Sequence, residues 1–287
     1  MKLYYWQVRL CVFLSARLPL RLCYALAAIA GDIAYTCCPQ LREDTKSSIA
    51  HILGQAKDSP AVSSVTRKCI RNYAKSTVEF CRYSMRPGRG EASVSFEGLD
   101  RLDAALGEGK GAIIVGLHLG SWDVGATSLA RRRYPLNAFV RSFEGNAKIS
   151  RAIQDLRRKV GVVSILAEDG IRHAAEVLRR NELLAMLIDA PSTGRLVKVK
   201  FLQGYAQFSP GVAALALRTK AAVLPGCIVR LPDNTFKAFI GKKIECHFSG
   251  NFRRDIQHLS QGILDSMQEF VTQYPEQWGM LRKVWYD

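Results

Sequence analysis

The sequence predicts an α/β fold: a mainly parallel central sheet flanked by helices on both faces, with an N-terminal hydrophobic helical segment. Two observations lead to this prediction. After about residue 90, short β-branched runs alternate with helical patterns of roughly ten to fifteen residues, as in successive βαβ units. Within this alternation the run GAIIVG at 111–116 is continuously apolar, which is typical of a strand buried on both faces.

The N-terminal stretch is rich in Leu, Ala, Tyr and Cys, but Arg9, Arg17 and Arg21 interrupt it. No uncharged run reaches the roughly 20 residues that a bilayer span needs, and none suits a signal peptide. Aromatic residues such as Trp6 and Phe13 are interleaved with Arg and Leu. This pattern predicts amphipathic helices in a membrane interface, and two core helices covering a sheet are the alternative.

Helical spacing of apolar residues continues to about Met85, with a turn at 58–60. Pro and Gly residues at 86–90 then break the pattern. We therefore expect a helical, membrane-associating segment at 1–90 and an α/β domain at 91–287.

Strands and helices in the second part follow from their local patterns. We predict strands at 92–98, 111–118, 136–141, 162–166, 183–189, 197–202, 221–230 and 235–245, and helices at 101–110, 121–133, 146–160, 171–180, 211–220 and 254–273. Active sites of parallel sheets lie at the carboxyl ends of the strands. His118, Arg141 and Asp189 each stand at or just past such an end, so we expect them to lie together.

His118 precedes Asp123 by five residues, between the 111–118 strand and the helix that Ser121 is placed to cap. On one continuous helix these side chains would point about 140° apart. With His118 on the loop and Asp123 in the first helical turn, the carboxylate can reach the imidazole and fix its tautomer. The other ring nitrogen is then free to act as a base.

This arrangement resembles the HX4D/E motif of glycerolipid and glycolipid acyltransferases. The wording HLGSWD is closest to the branch of bacterial lipid A biosynthesis (lauroyl/myristoyl) and phosphatidylinositol mannoside acyltransferases. Three downstream segments, IDAPSTGRLVKVKFLQG, FSPGVAALALRTKAAVLPG and YPEQWGMLRK, are similar in order to the same branch. The match runs from about Phe96 to Trp285. It departs at 202–203, where Leu-Gln replaces a second Phe, and at 190–191 after Asp189.

The resemblance implies acyl transfer from acyl-CoA or acyl carrier protein to a lipid hydroxyl. The acceptor would be a glycolipid similar to a lipid A precursor or to a phosphatidylinositol mannoside. His118 would be the general base and Asp123 its orienting acid. Arg141 would hold a phosphate or phosphopantetheine, unless it is a solvated residue that begins a helix. The further substrate-binding residues would be Arg157, Asp189 and Arg195. No cofactor is implied besides the acyl donor, and no metal site.

The 41 Lys and Arg residues against 25 Asp and Glu give a formal net charge of +16, which suggests an anionic partner. Because the basic residues are spread along the chain, we expect an anionic membrane surface and no nucleic acid. The eight cysteines form no CxxC pair of the kind that zinc sites use. Four of them lie in the apolar N-terminal part, where they behave as small hydrophobic residues, and this indicates a reducing compartment; palmitoylation or a disulfide pair is the alternative. We expect the cytoplasmic face of the inner membrane.

Two other functions remain open at the level of sequence. One alternative is a non-catalytic basic α/β protein that binds anionic membrane or nucleic acid, with His118 structural. The other is a thioesterase-like hydrolase that uses the same dyad on water. Trp278 and Trp285 are predicted to be packing residues or interfacial anchors rather than catalytic groups.

Overall fold

The computed structural model describes residues 12–85, 93–142, 147–190 and 196–285. The helices are α1 Leu20–Cys37, α2 Pro39–Leu53, α3 Pro60–Met85, α4 Leu99–Gly107, α5 Trp122–Arg131, α6 Ala147–Lys159, α7 Ile171–Arg179, α8 Gly211–Thr219 and α9 Phe252–Gln273. The strands are β1 Val94–Glu97, β2 Ala112–Gly116, β3 Leu136–Val140, β4 Val163–Leu166, β5 Leu183–Leu187, β6 Val197–Phe201, β7 Gly204–Phe208, β8 Ala222–Arg230 and β9 Phe236–Ile240. Short 3₁₀ turns follow β4 and α9, at Ala167–Asp169 and Pro275–Gln277.

The central sheet has the strand order β1-β9-β8-β2-β5-β3-β4. Strands β8, β2, β5, β3 and β4 are parallel, and β9 runs antiparallel to β8. The edge strand β1 pairs parallel with β9. The predicted α/β fold with a mainly parallel sheet flanked by helices is confirmed.

Strand β2 occupies the middle of this sheet, and its alternate side chains enter different parts of the core. Ile113 and Val115 belong to one apolar cluster. Ala112 belongs to a second, against which Ile114 packs. The uninterrupted apolar run in the sequence therefore follows from burial on both faces of the sheet.

Strand β6 was predicted correctly, but it lies outside the central sheet. It forms a two-stranded antiparallel sheet with β7, which the sequence pattern did not reveal. The turn between them needs a positive φ at Leu202 (54°). Helix α9 secures the pair, because the side chain of Gln261 bonds both the backbone N–H and the C=O of Lys200.

Helices α1 and α3 pack closely, and small residues make this possible. Cys23, Ala27 and Gly31, each four residues apart, are buried along one side of α1. A Cβ on Gly31 would lie 2.8 Å from the Cα of Arg71, so the backbones approach at that point. Asp32 accepts hydrogen bonds from Arg67 and Arg71 on α3, and these hold the pKa of its carboxyl below the usual range.

Among the described helices, α1 is long and apolar enough to cross a bilayer by length and composition. The sequence predicts no membrane span because no uncharged run is long enough. This helix is nevertheless apolar enough on average, although it contains two charged residues, Arg21 and Asp32. The predicted break at 86–90 lies outside the described residues, and the division of the chain at residue 90 stays a prediction.

A buried ion pair joins α3 to β8. The Glu79 carboxylate, fully buried, accepts from Arg230 Nε at 2.5 Å and Nη2 at 2.9 Å, and from the Tyr24 hydroxyl at 2.6 Å. Arg230 also donates to Asn72 Oδ1 and Ser76 Oγ. The hydrogen bonds satisfy both charges, so losing one partner leaves the other buried and uncompensated.

We therefore expect Glu79→Gln to lower the free energy of unfolding by about 3 to 5 kcal/mol, measured by urea denaturation. The matched control is Glu97→Gln, which removes an exposed ion pair with Lys237 (3.1 Å) and should cost no more than about 1 kcal/mol. Equal, small losses in both variants would show that the buried pair does not hold the N-terminal helices to the sheet.

Candidate active site

His118 and Asp189 meet at the carboxyl ends of two neighbouring strands. In the parallel register of β2 and β5, Gly116 lies opposite Leu187, so the residues two positions later emerge side by side. Nδ1 of the imidazole lies 2.6 Å from Asp189 Oδ1. The second carboxylate oxygen accepts from the backbone N–H of His118 and from Trp278 Nε1, both at 2.9 Å.

These contacts determine the protonation of the pair. Burial of the Asp189 carboxyl would raise its pKa, but His118 and the bond from Trp278 outweigh burial and hold the pKa below the ordinary value. The group is therefore a carboxylate that can only accept, so Nδ1 of the imidazole carries the proton. Nε2 has no partner among the described residues, which leaves it as the acceptor of the ring.

Asp123 does not make the contact that its spacing predicted. It lies in the first turn of α5, where its Oδ1 accepts from Arg157 Nε at 2.9 Å. The carboxylate that accepts from the imidazole is that of Asp189, not the expected one of Asp123. The reason is the strand order: β5 pairs directly with β2 and brings its carboxylate beside His118.

The loop after β2 is clamped by two distant segments. Gly120 donates its N–H to the Gln277 carbonyl (2.8 Å) and accepts at its own carbonyl from Ser76 Oγ (3.1 Å). The His118 carbonyl accepts from the Gly279 N–H at 2.6 Å. Gly120 has φ +66°, and a Cβ there would meet the carbonyl oxygen of Ile228 at 1.7 Å, so this position requires glycine.

Trp278 and Arg282 contact Asp189, and the sequence pattern did not indicate either contact. Trp278 is 1% exposed and packs in the core as predicted, but its indole N–H also donates to the Asp189 carboxylate. Arg282 donates to the backbone carbonyl of Asp189 at 2.5 Å. The YPEQWGMLRK segment noted in the sequence was the available signal, although its pattern gave no indication of these partners.

His118 lines a cavity of about 1520 Å³. This exceeds the roughly 300–1,000 Å³ of pockets for drug-sized ligands. Much of its wall is apolar, with Phe80, Trp122, Phe139 and Ile188 among the lining side chains. Such a cavity has room for a long aliphatic chain beside the imidazole.

The remaining predicted residues lie at different places around this cavity. Arg141, just after β3, is exposed and lines it, as does Arg157, whose Nε is engaged by Asp123. Asp189 was predicted to contact substrate, but it is fully buried beneath His118 and offers no surface to a bound molecule. Arg195 lies outside the described residues.

A family model described as "Bacterial lipid A biosynthesis acyltransferase" matches residues 1–287. The chain belongs to this family. The resemblance drawn from the HLGSWD and PEQW segments is thereby confirmed.

Two relatives of this family member are phosphatidylinositol mannoside acyltransferases. The protein of Mycobacterium tuberculosis (strain CDC 1551 / Oshkosh) is 28% identical over 193 residues, which are 66% of this chain and 58% of the relative. The protein of Mycolicibacterium smegmatis (strain ATCC 700084 / mc(2)155) is 23% identical over 261 residues, or 85% of this chain and 79% of the relative. The match to the first of these thus spans less than two thirds of that protein.

The other described histidines of this family member lie away from the cavity. His51 stacks on Trp285 with ring centroids 4.8 Å apart, and His247 packs against His258. Burial raises the pKa of both the Cys69 and the Cys227 thiols to about 12, so they remain protonated. His118 is the histidine among the described residues that line the cavity, so its imidazole is the candidate general base there.

Proposed function

We propose that this protein transfers a fatty acyl chain from acyl-CoA or acyl carrier protein to a hydroxyl of a glycolipid. The observation that carries the proposal is the His118 imidazole, held through Nδ1 by a buried carboxylate, in a residue that lines a large, mainly apolar cavity. The family to which the chain belongs supports the reaction type. The names of its relatives support an acceptor similar to a phosphatidylinositol mannoside or a lipid A precursor.

In this proposal His118 is the general base. Its Nε2 removes the proton of the acceptor hydroxyl as the oxygen attacks the thioester carbonyl carbon. Asp189 keeps the imidazole in the required tautomer and stabilises the imidazolium that forms, without taking the proton itself. Asp123 does not contact the imidazole in this scheme; its carboxylate holds Arg157 at the cavity wall.

The cavity suits both parts of the substrates. Its apolar wall accepts the acyl chain by removing aliphatic surface from water. Arg141 and Lys159, both exposed at the cavity, provide positive charge for a phosphate of the donor or of the lipid headgroup. For Arg157 this role is weaker, because Asp123 already neutralises it, and for Arg195 it stays a prediction.

We further propose that α1 lies in the membrane interface on the cytoplasmic side. Leu22, Leu26, Ile29 and Ile33 are 43–58% exposed and recur at helical spacing on the side of α1 away from α3. The cavity itself is lined in part by three other exposed apolar side chains, those of Phe13, Tyr73 and Met85. This arrangement favours lipid entry from a bilayer, with exposed Arg17 and Arg21 available to anionic headgroups.

Replacing the base tests the reaction. We expect His118→Ala to lower transfer of labelled acyl chains into a glycolipid extract by about 10² to 10⁴-fold, because general-base catalysis is lost. Transfer by Asp189→Asn should fall by a similar factor. The double variant should transfer acyl chains no more slowly than His118→Ala, because the two side chains act as a unit. The exposed His173→Ala serves as the matched control and should retain wild-type activity.

Other outcomes of this assay separate the remaining functions. Free fatty acid as the main product, with the same dependence on His118, would identify a thioesterase. No transfer by the wild type across several donors and acceptors would contradict the proposal and favour a binding protein.

Substitutions on the apolar surface of α1 test whether this helix binds the membrane. Ile29→Glu with Ile33→Glu should weaken flotation with phosphatidylglycerol vesicles at least tenfold, since each buried isoleucine contributes about 1.5 to 3 kcal/mol. Turnover of a detergent-solubilised acceptor should stay near that of the wild type. Ile171→Glu, a similarly exposed isoleucine on α7, is the control, and equal loss of binding in both variants would contradict this docking face.

A further inference from the structure

Ser121 has a buried hydroxyl with no hydrogen-bond partner in the described part of the chain. The residue is 1% exposed and stands at the N-cap position of α5. The sequence predicts that its side chain caps the helix, but Oγ makes no capping hydrogen bond and no hydrogen bond to any other described residue. Buried hydroxyls are usually satisfied, so an unpaired one beside a cavity suggests a ligand.

The backbone at the same point also has unused donors. The N–H groups of Val124 and Gly125 bond to the Ser121 carbonyl. Those of Ser121, Trp122 and Asp123 meet no acceptor among the described residues. The first N–H groups of a helix lack partners within it, and the helix dipole makes this end favourable for negative charge.

These donors lie close to the proposed base and are held in place. Ser121 is three residues after His118, and both line the same cavity. The intervening Gly120 is fixed at its N–H by Gln277 and at its carbonyl by Ser76. Rotation of the Ser121 side chain about χ1 breaks no hydrogen bond to a described residue, so Oγ is available to a ligand bound in the cavity.

We propose that the Ser121 hydroxyl, together with the backbone N–H groups that open α5, forms the oxyanion hole for the acyl-thioester carbonyl. The inference rests on the proposed acyl transfer and adds a catalytic residue to it. Sequence spacing assigned Ser121 to capping, whereas the structure leaves its hydroxyl available for chemistry.

Acyl transfer then proceeds in two stages, addition to the carbonyl and collapse of the oxyanion. The acceptor oxygen forms a C–O bond to the carbonyl carbon while His118 Nε2 takes its proton. The π electrons of the carbonyl move onto oxygen, and the donors at Ser121 stabilise that charge. On collapse the C–S bond breaks, and the thiolate takes the proton from the imidazolium, giving the ester and the free thiol.

Ser121→Ala, with palmitoyl-CoA as donor and release of the CoA thiol as the readout, tests this role. We expect kcat to fall by about 10²-fold, as when one oxyanion donor is removed, with KM for palmitoyl-CoA within about twofold of the wild type. The pH profile should keep its shape because His118 is untouched. The melting temperature should be unchanged or higher, because an unpaired buried hydroxyl is lost.

The matched control is Ser84→Ala on α3. Its hydroxyl is also buried and unpaired in the described chain, but Ser84 is not among the residues lining the cavity, so its turnover should equal that of the wild type.

Three outcomes would overturn the role of Ser121. Wild-type turnover in Ser121→Ala would exclude it as an oxyanion donor while leaving acyl transfer intact. Slower turnover with a lower melting temperature would assign it to helix capping. No thiol release by the wild-type protein from either palmitoyl-CoA or palmitoyl-acyl carrier protein, with any acceptor or water, would remove the proposed function and this inference together.

Discussion

The site depends on a single buried carboxylate. Asp189 is fully buried, and burying an unpaired charge is costly, so the fold must supply hydrogen-bond donors to it. The imidazole and backbone N–H of His118 and the indole of Trp278 do so. Each donor comes from a segment that this contact also positions. The requirement to satisfy one charge therefore fixes the loop that carries the proposed base.

The same loop joins the two ends of the described chain. From the N-terminal helices, Ser76 binds the Gly120 carbonyl and Asn72 binds the carbonyl of Glu276. From the C-terminal segment, Gln277 binds the backbone N–H and C=O of Arg230 through its side chain. Because Arg230 also pairs with Glu79, the N-terminal helices, the sheet and the PEQW segment form one buried polar network around the site. A substitution in α3 can therefore affect the reaction without touching substrate.

Local patterns were sufficient for most of the architecture. The alternation of strands and helices, the doubly buried run at 111–116 and the placing of His118, Arg141 and Asp189 at strand ends all follow from periodicity, which local burial determines. The partner of His118 could not be obtained in this way. Asp123 is near in sequence, but the order β2-β5 in the sheet brings Asp189 nearer in space.

Other features escaped prediction for related physical reasons. Strand β7 is a short segment whose pairing with β6 depends on a positive φ at Leu202, a residue type that rarely adopts it. The ion pair of Glu79 with Arg230 joins residues 151 positions apart, and no local pattern indicates it. Serine is a favoured residue at the N-cap position, yet the Ser121 side chain makes no capping hydrogen bond to α5.

The tautomer of His118 is the most direct measurement of the central interaction. Long-range ¹H–¹⁵N spectra of ¹⁵N-histidine-labelled protein at mildly alkaline pH, with the signal assigned from His118→Ala, report which ring nitrogen carries the proton. A proton on Nδ1 and none on Nε2 is expected in the wild type and in Asp123→Asn, with this preference weakened in Asp189→Asn. A proton on Nε2 in the wild type, or a change in Asp123→Asn but not in Asp189→Asn, would contradict the role of Asp189.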